Sequence, residues 1–196
     1  SNPLEIIKKK KIDILFEAIG LSDGISKKIV EIAIKNKIHV ITPNKALISK
    51  HGDYLSKLAE KNKVNLEFEA SVGGGIPILR TIKEGLATNK IFKVYGILNG
   101  TSNYILSEME TTKNSFEDVL KKAQSLGYAE PGNPKLDLNG YDALAKVKIL
   151  SSLSFNIKIS NSKYLMEGIE NIEYKDIDIV DQLNYRIKLL GITEIV

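Results

Sequence analysis

The sequence predicts an α/β fold in which a parallel sheet is followed by a second, α+β domain. In the first part of the chain, short apolar runs alternate with longer amphipathic segments in the order strand, helix, strand, helix, strand. Short connections between such elements are typical of parallel sheets with right-handed crossovers. After three glycines at 73–75 this alternation changes to longer helical segments. We therefore expect two domains, at 1–72 and 73–196.

The elements of the first domain follow from apolar runs and from residues that begin or end helices. Ile12–Gly20 is an apolar run that a glycine ends, as expected of a buried strand. A helix over about 25–36 follows, which Ser22 or Asp23 can cap. The remaining elements are a strand at 38–42, a helix at 45–62 and a strand at 65–72.

The second domain begins with a helix from Pro77 to about residue 88, because proline suits the first turn of a helix. Ser115 begins another helix with a capping-box-like pattern, and Gly127 ends it. The other expected elements are a strand at 91–98, a helix that follows a turn at 99–104 and ends near 109, a long helix at 141–155, a strand at 164–169 and a last helix at 176–190.

Composition excludes several classes of protein. The chain is 43% hydrophobic and 27% charged, and its net charge is +4, as in ordinary globular proteins. Without a long apolar run or a signal peptide, the expected location is cytoplasmic, with no membrane partner. The basic run Lys8–Lys11 reads as a solvated helix end rather than a nucleic-acid patch.

The absence of cysteine limits the chemistry further. With no cysteine and two histidines, disulfides, thiolate metal sites and a zinc site are not expected. Aldehyde dehydrogenases that form acyl products need a cysteine nucleophile, which this chain does not have. Reduction of an aldehyde to an alcohol needs only a hydride and a proton donor, and that reaction stays open.

Candidate ligand-binding residues follow the carboxyl ends of the predicted parallel strands, where ligands bind in such sheets. They are Gly20, the Thr42-Pro-Asn-Lys45 corner, and the segment from Glu69 to Ile76. By position alone, Lys45 could equally be an exposed lysine at a helix start. The glycines at 73–75 could equally be a flexible hinge between the domains.

The most informative stretch runs from 127 to 146. Its first half contains two prolines and a glycine at 131–134 and is therefore a loop, whereas 141–155 contains neither residue and predicts a helix. Three carboxylates and a lysine lie in this stretch, at Glu130, Asp137, Asp142 and Lys146.

Helical periodicity places Asp142 and Lys146 one turn apart on a stripe that is otherwise apolar, while Lys148 points nearly the other way. A lysine that points into the protein needs a carboxylate nearby, because a buried charge without a partner is costly. One interpretation is an ion pair that only steadies the helix. The other is a site, because carboxylates on a rigid loop that opens onto the same end suit a small zwitterion, with the lysine as proton donor or acceptor.

These residues resemble the signature of the homoserine dehydrogenase family. Gly-Tyr-Ala-Glu at 127–130 is followed by Pro, Asp, Gly, Asp and Lys in the family's order, and Gly-Tyr-Asp-Ala-Leu-Ala-Lys at 140–146 matches its closing half. The loop at 131–136 is about one residue longer than the family's. Thr-Pro-Asn-Lys at 42–45 and Asn-Gly-Thr-Ser-Asn-Tyr-Ile-Leu at 99–106 also match family motifs.

The resemblance implies a partial Rossmann-like sheet and an oxidoreductase that interconverts L-homoserine and L-aspartate 4-semialdehyde with NAD or NADP, on the route to threonine and methionine. Lys146 would donate the proton and Asp142 would orient it or hold the substrate. Glu130 and Asp137 would bind the substrate's ammonium group, and Thr101 would lie near the substrate.

The resemblance also implies cofactor, cation and subunit contacts. Lys45 would bridge cofactor and substrate. The other residues expected at the cofactor are Gly20, Gly127 and Glu130. A monovalent cation such as sodium would bind backbone carbonyls at Glu69, Val72, Gly74 and Ile76. Subunits of the family pair in the second domain, so we expect a homodimer around the strand at 91–98.

The family's Gly-x-Gly-x-x-Gly turn is not formed by any of the 14 glycines. We therefore expect these residues to be an internal part of a longer protein and to be inactive by themselves. Two alternatives stay open at this point. The chain could be a non-catalytic remnant that oligomerises or binds an amino acid, or it could belong to another Rossmann-type reductase.

Overall fold

The computed structural model describes residues 3–9, 11–132, 134–158 and 164–195. They divide into two compact units. The first combines the described residues up to 94 with those of 148–158 and 194–195, and the second combines 95–147 with 164–193. The boundary that the sequence predicts after residue 72 stays a prediction.

The first unit contains a three-stranded parallel sheet, which confirms the predicted α/β class. The strands are in sequential order, and Ile14 pairs with His39 while Val40 pairs with Leu66. The elements are α1 (Pro3–Lys9), β1 (Ile14–Phe16), α2 (Ile25–Lys35), β2 (His39–Ile41), α3 (Lys45–Asn62) and β3 (Leu66–Glu67).

The starts of α2 and α3 differ in how their backbone is capped. Asn44 precedes α3, and its side-chain oxygen accepts a hydrogen bond from Leu47 N at 3.0 Å. The residue before α2 is Gly24, with φ of 65° and no side-chain cap. The expected cap by Ser22 or Asp23 is therefore wrong, because the Asp23 carboxylate binds side chains of α3 instead.

Only one face of this sheet is covered within the unit, so the expectation that the first strand is buried is wrong for its other face. Ile14, Phe16 and Ile41 are 57%, 66% and 41% exposed, whereas Val40 is fully buried. Right-handed connections that run through strands in sequential order place both helices on the same face of a sheet. Among the described residues, the side chains of β1 and β2 on the opposite face are therefore largely exposed.

The third strand is much shorter than the predicted 65–72, because the chain turns into a 3₁₀ helix at Glu69–Ser71. A short helix, α4 (Ile78–Arg80), follows and continues as a π-helical turn at Thr81–Gly85. The predicted helix from Pro77 is thus present but irregular. Its start is capped by the Glu69 carboxylate, which accepts hydrogen bonds from the backbone of Leu79 and Arg80.

The rest of the chain is mainly helical, with a second sheet of two strands. The elements are β4 (Lys93–Gly96), α5 (Gly100–Thr112), α6 (Phe116–Ser125), α7 (Lys135–Leu138), α8 (Tyr141–Phe155), α9 (Tyr174–Gln182) and β5 (Gly191–Glu194). Helices α5, α6 and α9 bury one core cluster, formed by Ile105, Leu106, Met109, Val119, Ala123, Ala129, Leu138, Ile169 and Ile177.

Three expectations near the C-terminal end are corrected. Residues 164–169 are not a strand, because Ile169 N donates to Leu138 O and fixes this segment against α7. The last helix begins at Tyr174, where Asp176 Oδ2 accepts from Glu173 N, and it ends early, near Asn184, whose φ is 59°. Strand β5 was not expected. Among the described helices, none is long and apolar enough to cross a membrane.

Candidate active site

The first two turns of α8 carry a largely buried ion pair. Lys146 Nζ lies 2.8 Å from Asp142 Oδ2, and the two side chains are 17% and 8% exposed. The same ammonium donates a hydrogen bond to the backbone oxygen of Leu98, at 2.6 Å. Leu98, which follows the end of β4, therefore supplies a second acceptor for the lysine, in addition to the carboxylate of Asp142 one helical turn away.

Asn99 joins this pair to a second carboxylate. Its side-chain nitrogen donates to Asp142 Oδ2 at 2.9 Å and to Asp137 Oδ1 at 2.7 Å. Its side-chain oxygen accepts from Ser102 N at 2.8 Å and so caps α5. From the sequence, Asn99 was expected only as part of the turn that begins α5. The signal that could have identified it is a polar amide at the end of a strand, within the motif 99–106.

The carboxylate of Asp137 comes from a short helix inside the predicted loop. Helix α7 has four residues and begins after Pro134. Ser102 Oγ donates to the backbone oxygen of Asp137 at 2.9 Å, which ties α7 to the first turn of α5. Gly140, with φ of 84°, separates α7 from α8. Asn133, which belongs to the same loop, lies outside the described residues.

The loop after α6 is also attached to α5. Thr101 Oγ1 donates to Tyr128 O at 2.7 Å, and the rings of Tyr104 and Tyr128 stack with centroids 4.6 Å apart. Gly127 has φ of 78° and ends α6 as expected. The side chain of Glu130 is exposed on this loop.

A second buried carboxylate, Glu17, lies at the carboxyl end of the parallel sheet. Glu17 is 2% exposed, and its Oε2 accepts a hydrogen bond from Thr42 Oγ1 at 2.7 Å. Ile19 N donates to Oε1 at 2.8 Å, and the Asn44 amide nitrogen lies 3.3 Å from both carboxylate oxygens. Glu17 therefore ties the residues after β1 to the corner that precedes Lys45. Glu17 was not among the predicted site residues, although a charge near the end of an apolar run was the available signal.

The predicted site residues thus fall in two separate units. Lys45 is half-buried as the first residue of α3, and Gly20 is exposed with φ of 85°, both in the first unit. The second unit contains the other predicted catalytic and substrate residues, and there the structure brings Asp137, Asp142 and Lys146 together through Asn99.

The segment predicted to bind a cation is a tight turn. Gly73 and Gly74 have φ of 78° and 58°, and Ile76 N donates to Gly73 O at 3.0 Å. Ser71 is 2% exposed, and its hydroxyl has no hydrogen-bond partner within the part of the chain that the structure describes. Across the same residues, no group of three or more His, Cys, Asp or Glu side chains is arranged to hold a metal ion.

Comparison with known families identifies the family to which the chain belongs. The model of the NAD-binding domain of homoserine dehydrogenase matches residues 2–69, and the homoserine dehydrogenase model matches residues 77–196. The second match alone covers more than half of the chain. The chain belongs to the homoserine dehydrogenase family.

Individual homoserine dehydrogenases agree with this assignment. The protein from Neisseria gonorrhoeae is 46% identical over 192 residues, which are 98% of this chain and 44% of that protein. The crystal structure of the Thiobacillus denitrificans enzyme matches with a TM-score of 0.94 at 43% identity, over 99% of this chain and 44% of that one. This chain therefore spans less than half the length of these relatives.

A more distant homoserine dehydrogenase confirms the Rossmann-type fold. The structure of a hyperthermophilic archaeal homoserine dehydrogenase in complex with NADPH matches with a TM-score of 0.85 at 26% identity, over 99% of this chain and 56% of that one.

The second unit of this homoserine dehydrogenase segment has the groups that proton transfer requires. An ammonium with a carboxylate and a carbonyl as acceptors is held in one orientation, which is what a general acid or base needs. Two carboxylates share the Asn99 amide, and Lys146 contacts that of Asp142. The Asp137 carboxylate is therefore a candidate acceptor for a ligand that brings a positive charge of its own.

Proposed function

We propose that the full-length protein containing this chain interconverts L-homoserine and L-aspartate 4-semialdehyde with NAD or NADP, in the biosynthesis of threonine and methionine. The observation that carries this proposal is the buried pair of Lys146 and Asp142, with Leu98 O as the second acceptor of the lysine. Membership of the homoserine dehydrogenase family supports the choice of substrate.

In this proposal Lys146 is the proton donor in the direction of aldehyde reduction. Its Nζ gives a proton to the oxygen that becomes the hydroxyl of homoserine, and it takes that proton back in the reverse direction. Asp142 and Leu98 O hold the ammonium in place through two hydrogen bonds. A bound nicotinamide supplies or accepts the hydride.

The carboxylates of Asp137 and Glu130 bind the substrate's ammonium group. The local charge supports this role for Asp137, because Asp137 and Asp142 share one amide donor and only Asp142 is paired with Lys146 in the contacts described above. Thr101, whose hydroxyl donates to Tyr128 O, keeps the loop that carries Glu130 against α5 and lies near the substrate.

The residues expected at the cofactor fit that role in two respects. A side chain built at Gly20 or Gly127 would meet nothing within 4 Å, so both positions leave open space beside the backbone. The buried Glu17 carboxylate holds the corner before Lys45 through neutral hydrogen-bond donors. In the proposal Lys45 bridges cofactor and substrate, while Gly20, Gly127 and Glu130 line the cofactor.

We propose that a monovalent cation such as sodium binds the turn at 69–76, with the backbone oxygens of Glu69, Val72, Gly74 and Ile76 as its ligands. The hydroxyl of Ser71, buried without a hydrogen-bond partner among the described residues, supports a polar ligand at this turn. Hard oxygen donors suit such an ion. This part is tested separately by titrating the protein with sodium and, in parallel, with potassium, and by comparing the thermal midpoints of unfolding in the two salts.

We also infer a homodimer with two-fold symmetry around β4. Strand β4 belongs to a sheet of only two strands, and Phe92, Tyr95 and Ile97 at or beside it are 59%, 69% and 46% exposed. Sedimentation of the full-length protein checks this, and a monomer at high concentration would contradict it.

The function is tested in the full-length protein with L-homoserine and NAD or NADP. Replacement of Lys146 by alanine is expected to lower kcat by about 10²–10⁴-fold, the usual contribution of a general acid, with little change in cofactor affinity. Lys148→Ala, two positions along the same helix, is the matched control and should retain activity. Turnover of Lys146→Ala near that of the wild type would refute the assignment.

The 196 residues alone are expected to show no turnover. A dinucleotide needs a glycine turn and a helix N-terminus at its pyrophosphate, and no Gly-x-Gly-x-x-Gly occurs in the sequence. An NADPH-oxidation assay with aspartate semialdehyde, combined with calorimetry for NADP, checks this. Ordinary turnover or micromolar cofactor binding by the segment would mean that the cofactor site has been misplaced.

A further inference from the structure

The side chain of Asn99 performs two distinct tasks at the same position. Its oxygen caps α5 by accepting from Ser102 N, and its nitrogen donates to Asp137 and to Asp142 at 2.7 and 2.9 Å. Asn99 is 4% exposed, so these partners rather than water satisfy its amide. The cap alone needs only the oxygen. The nitrogen, with two carboxylates as acceptors, calls for a separate explanation.

Two carboxylates so close together repel each other unless a donor or a cation lies between them. Lys146 reaches Asp142, whereas the donor that Asp137 shares with Asp142 is the neutral amide of Asn99. An amide has two N–H groups and can serve both acceptors at once. It holds both anions in place without adding a positive charge, so the Asp137 carboxylate keeps its negative charge for a cationic ligand.

We propose that Asn99 is a positioning residue that gives the two carboxylates different tasks. One N–H of its amide holds Asp142 against Lys146, which is the proton-transfer pair. The other holds Asp137 apart from that pair, as the acceptor for the substrate's ammonium group. The proposal rests on the proposed function and adds a residue to it that the sequence motif presented only as a helix cap.

Two substitutions separate this role from the capping role. Serine and aspartate are both good helix N-caps, so Asn99→Ser and Asn99→Asp keep the acceptor for Ser102 N. Asn99→Ser removes the amide donor without adding charge, and Asn99→Asp replaces the donor by a third carboxylate. Ser115→Ala is the matched control, because Ser115 caps α6 through Asp118 N and also donates to Asp118 Oδ2, so its loss removes a cap without touching Asp137, Asp142 or Lys146.

The first readout needs no substrate. Acetic anhydride modifies neutral amines and not ammonium groups, and mass spectrometry gives the modification rate of Lys146 relative to the exposed Lys121. A carboxylate that no donor balances favours the charged form of a neighbouring amine, which acetic anhydride does not attack. The rate is therefore expected to fall in Asn99→Ser and to fall further, by at least about tenfold, in Asn99→Asp. Ser115→Ala should match the wild type.

The second readout is the choice between L-homoserine and 4-hydroxybutanoate, which lacks the ammonium group, in the full-length protein. Asn99→Ser is expected to lose about 100-fold in kcat/KM for homoserine, since a misplacement of about 1 Å can cost this much. Its preference for homoserine should fall as well, because Asp137 is no longer held.

The outcomes distinguish this inference from the proposed function. Equal rates of Lys146 modification in the wild type and both Asn99 variants would overturn the inference. An unchanged preference for homoserine in Asn99→Ser would overturn the task given to Asp137. A wild-type protein that does not oxidise homoserine would refute the proposed function, and the modification rates would still decide whether Asn99 positions Asp142 and Lys146.

Discussion

Glu17 and Asp142 are both buried carboxylates, 2% and 8% exposed, but they are held by different kinds of group. Glu17 lies in the sheet unit and accepts from a hydroxyl, a backbone N–H and an amide. Asp142 lies in α8 and accepts from the ammonium of Lys146 and from the amide of Asn99.

The difference separates a carboxylate that shapes a corner from one that, in the proposed function, belongs to the proton-transfer pair. The donors of Glu17 are neutral and come from the residues after β1 and β2, so its bonds join two loops. The ammonium bound to Asp142 can lose and regain a proton, and its partner must tolerate both states. We infer that Glu17 contributes mainly to the structure of the corner before Lys45, and Asp142 mainly to chemistry.

The largest effect is expected from Asp142→Asn in the full-length protein. The substitution keeps the shape but leaves the ammonium of Lys146 without its carboxylate, so kcat should fall by about 100-fold or more. Unfolding free energy should also fall, by about 3 kcal/mol, as when one partner of a buried pair is removed. Steady-state kinetics and calorimetry measure both. Asp181→Asn, at an exposed position near the end of α9, is the control and should change neither kcat nor the free energy of unfolding.

A steric change should affect the region of Asp142 without altering its charges. A Cβ at Gly168 would overlap Leu138 O and lie 2.6 Å from Asn139 Cα, in the backbone between Asp137 and Asp142. Gly168→Ala is therefore expected to cost about 3 kcal/mol in unfolding free energy. Gly96→Ala, where a Cβ meets nothing within 4 Å, should be nearly neutral. Similar thermal midpoints for the two variants would show that α7 adjusts freely.

Glu17→Gln tests the other side of the comparison. The new NH₂ group would face hydrogen-bond donors, and an unsatisfied buried donor costs about 1–2 kcal/mol. The expected loss is in stability, with kcat reduced far less than by Asp142→Asn. Glu60→Gln, at an exposed position of α3, should change neither quantity. A fall in kcat as large as that of Asp142→Asn would place Glu17 in the chemistry and end the distinction.

The smallest effect is expected at Asp23, an exposed carboxylate of the same unit as Glu17. Hydrogen bonds from Lys50 first, then Ser22 and His51, lower the pKa of Asp23 well below its usual value. A depressed pKa stabilises the folded state above the unfolded value of about 3.9, and this contribution is lost as the pH falls towards the folded value. Asp23→Asn should therefore lower the urea midpoint slightly at pH 7, and the difference should shrink on acidification below about pH 4. A difference independent of pH would contradict this.

Helix boundaries could be predicted where local residues define them. Helices α3 and α8 cover 45–62 and 141–155 as expected, because Asn44 caps the first and Gly140 precedes the second. Ser115 and Gly127 likewise delimit α6. The approach failed for 164–169 and for β5, since these depend on partners elsewhere in the chain, such as Leu138 for Ile169.

The candidate site could be predicted only in part. The stripe of Asp142 and Lys146 follows from helical periodicity within one turn, and the motif at 127–146 indicated the family. The second acceptor of Lys146 is 48 residues away along the chain, and Asn99 is 43 residues from Asp142. Periodicity has no information about contacts at such separations, so the role of Leu98 O and the amide bridge could not be deduced.

The sequence by itself determined the class of fold, most helix ends and the residue types of the site, because these depend on backbone propensity, capping and periodicity over a few residues. The tertiary structure decided which polar groups are buried together. Glu17 became a buried anchor because two loops brought donors to it, and Asn99 became a bridge because α7 and α8 place their carboxylates at the start of α5. A buried polar group must find its partners wherever the fold supplies them, and only the folded chain shows where that is.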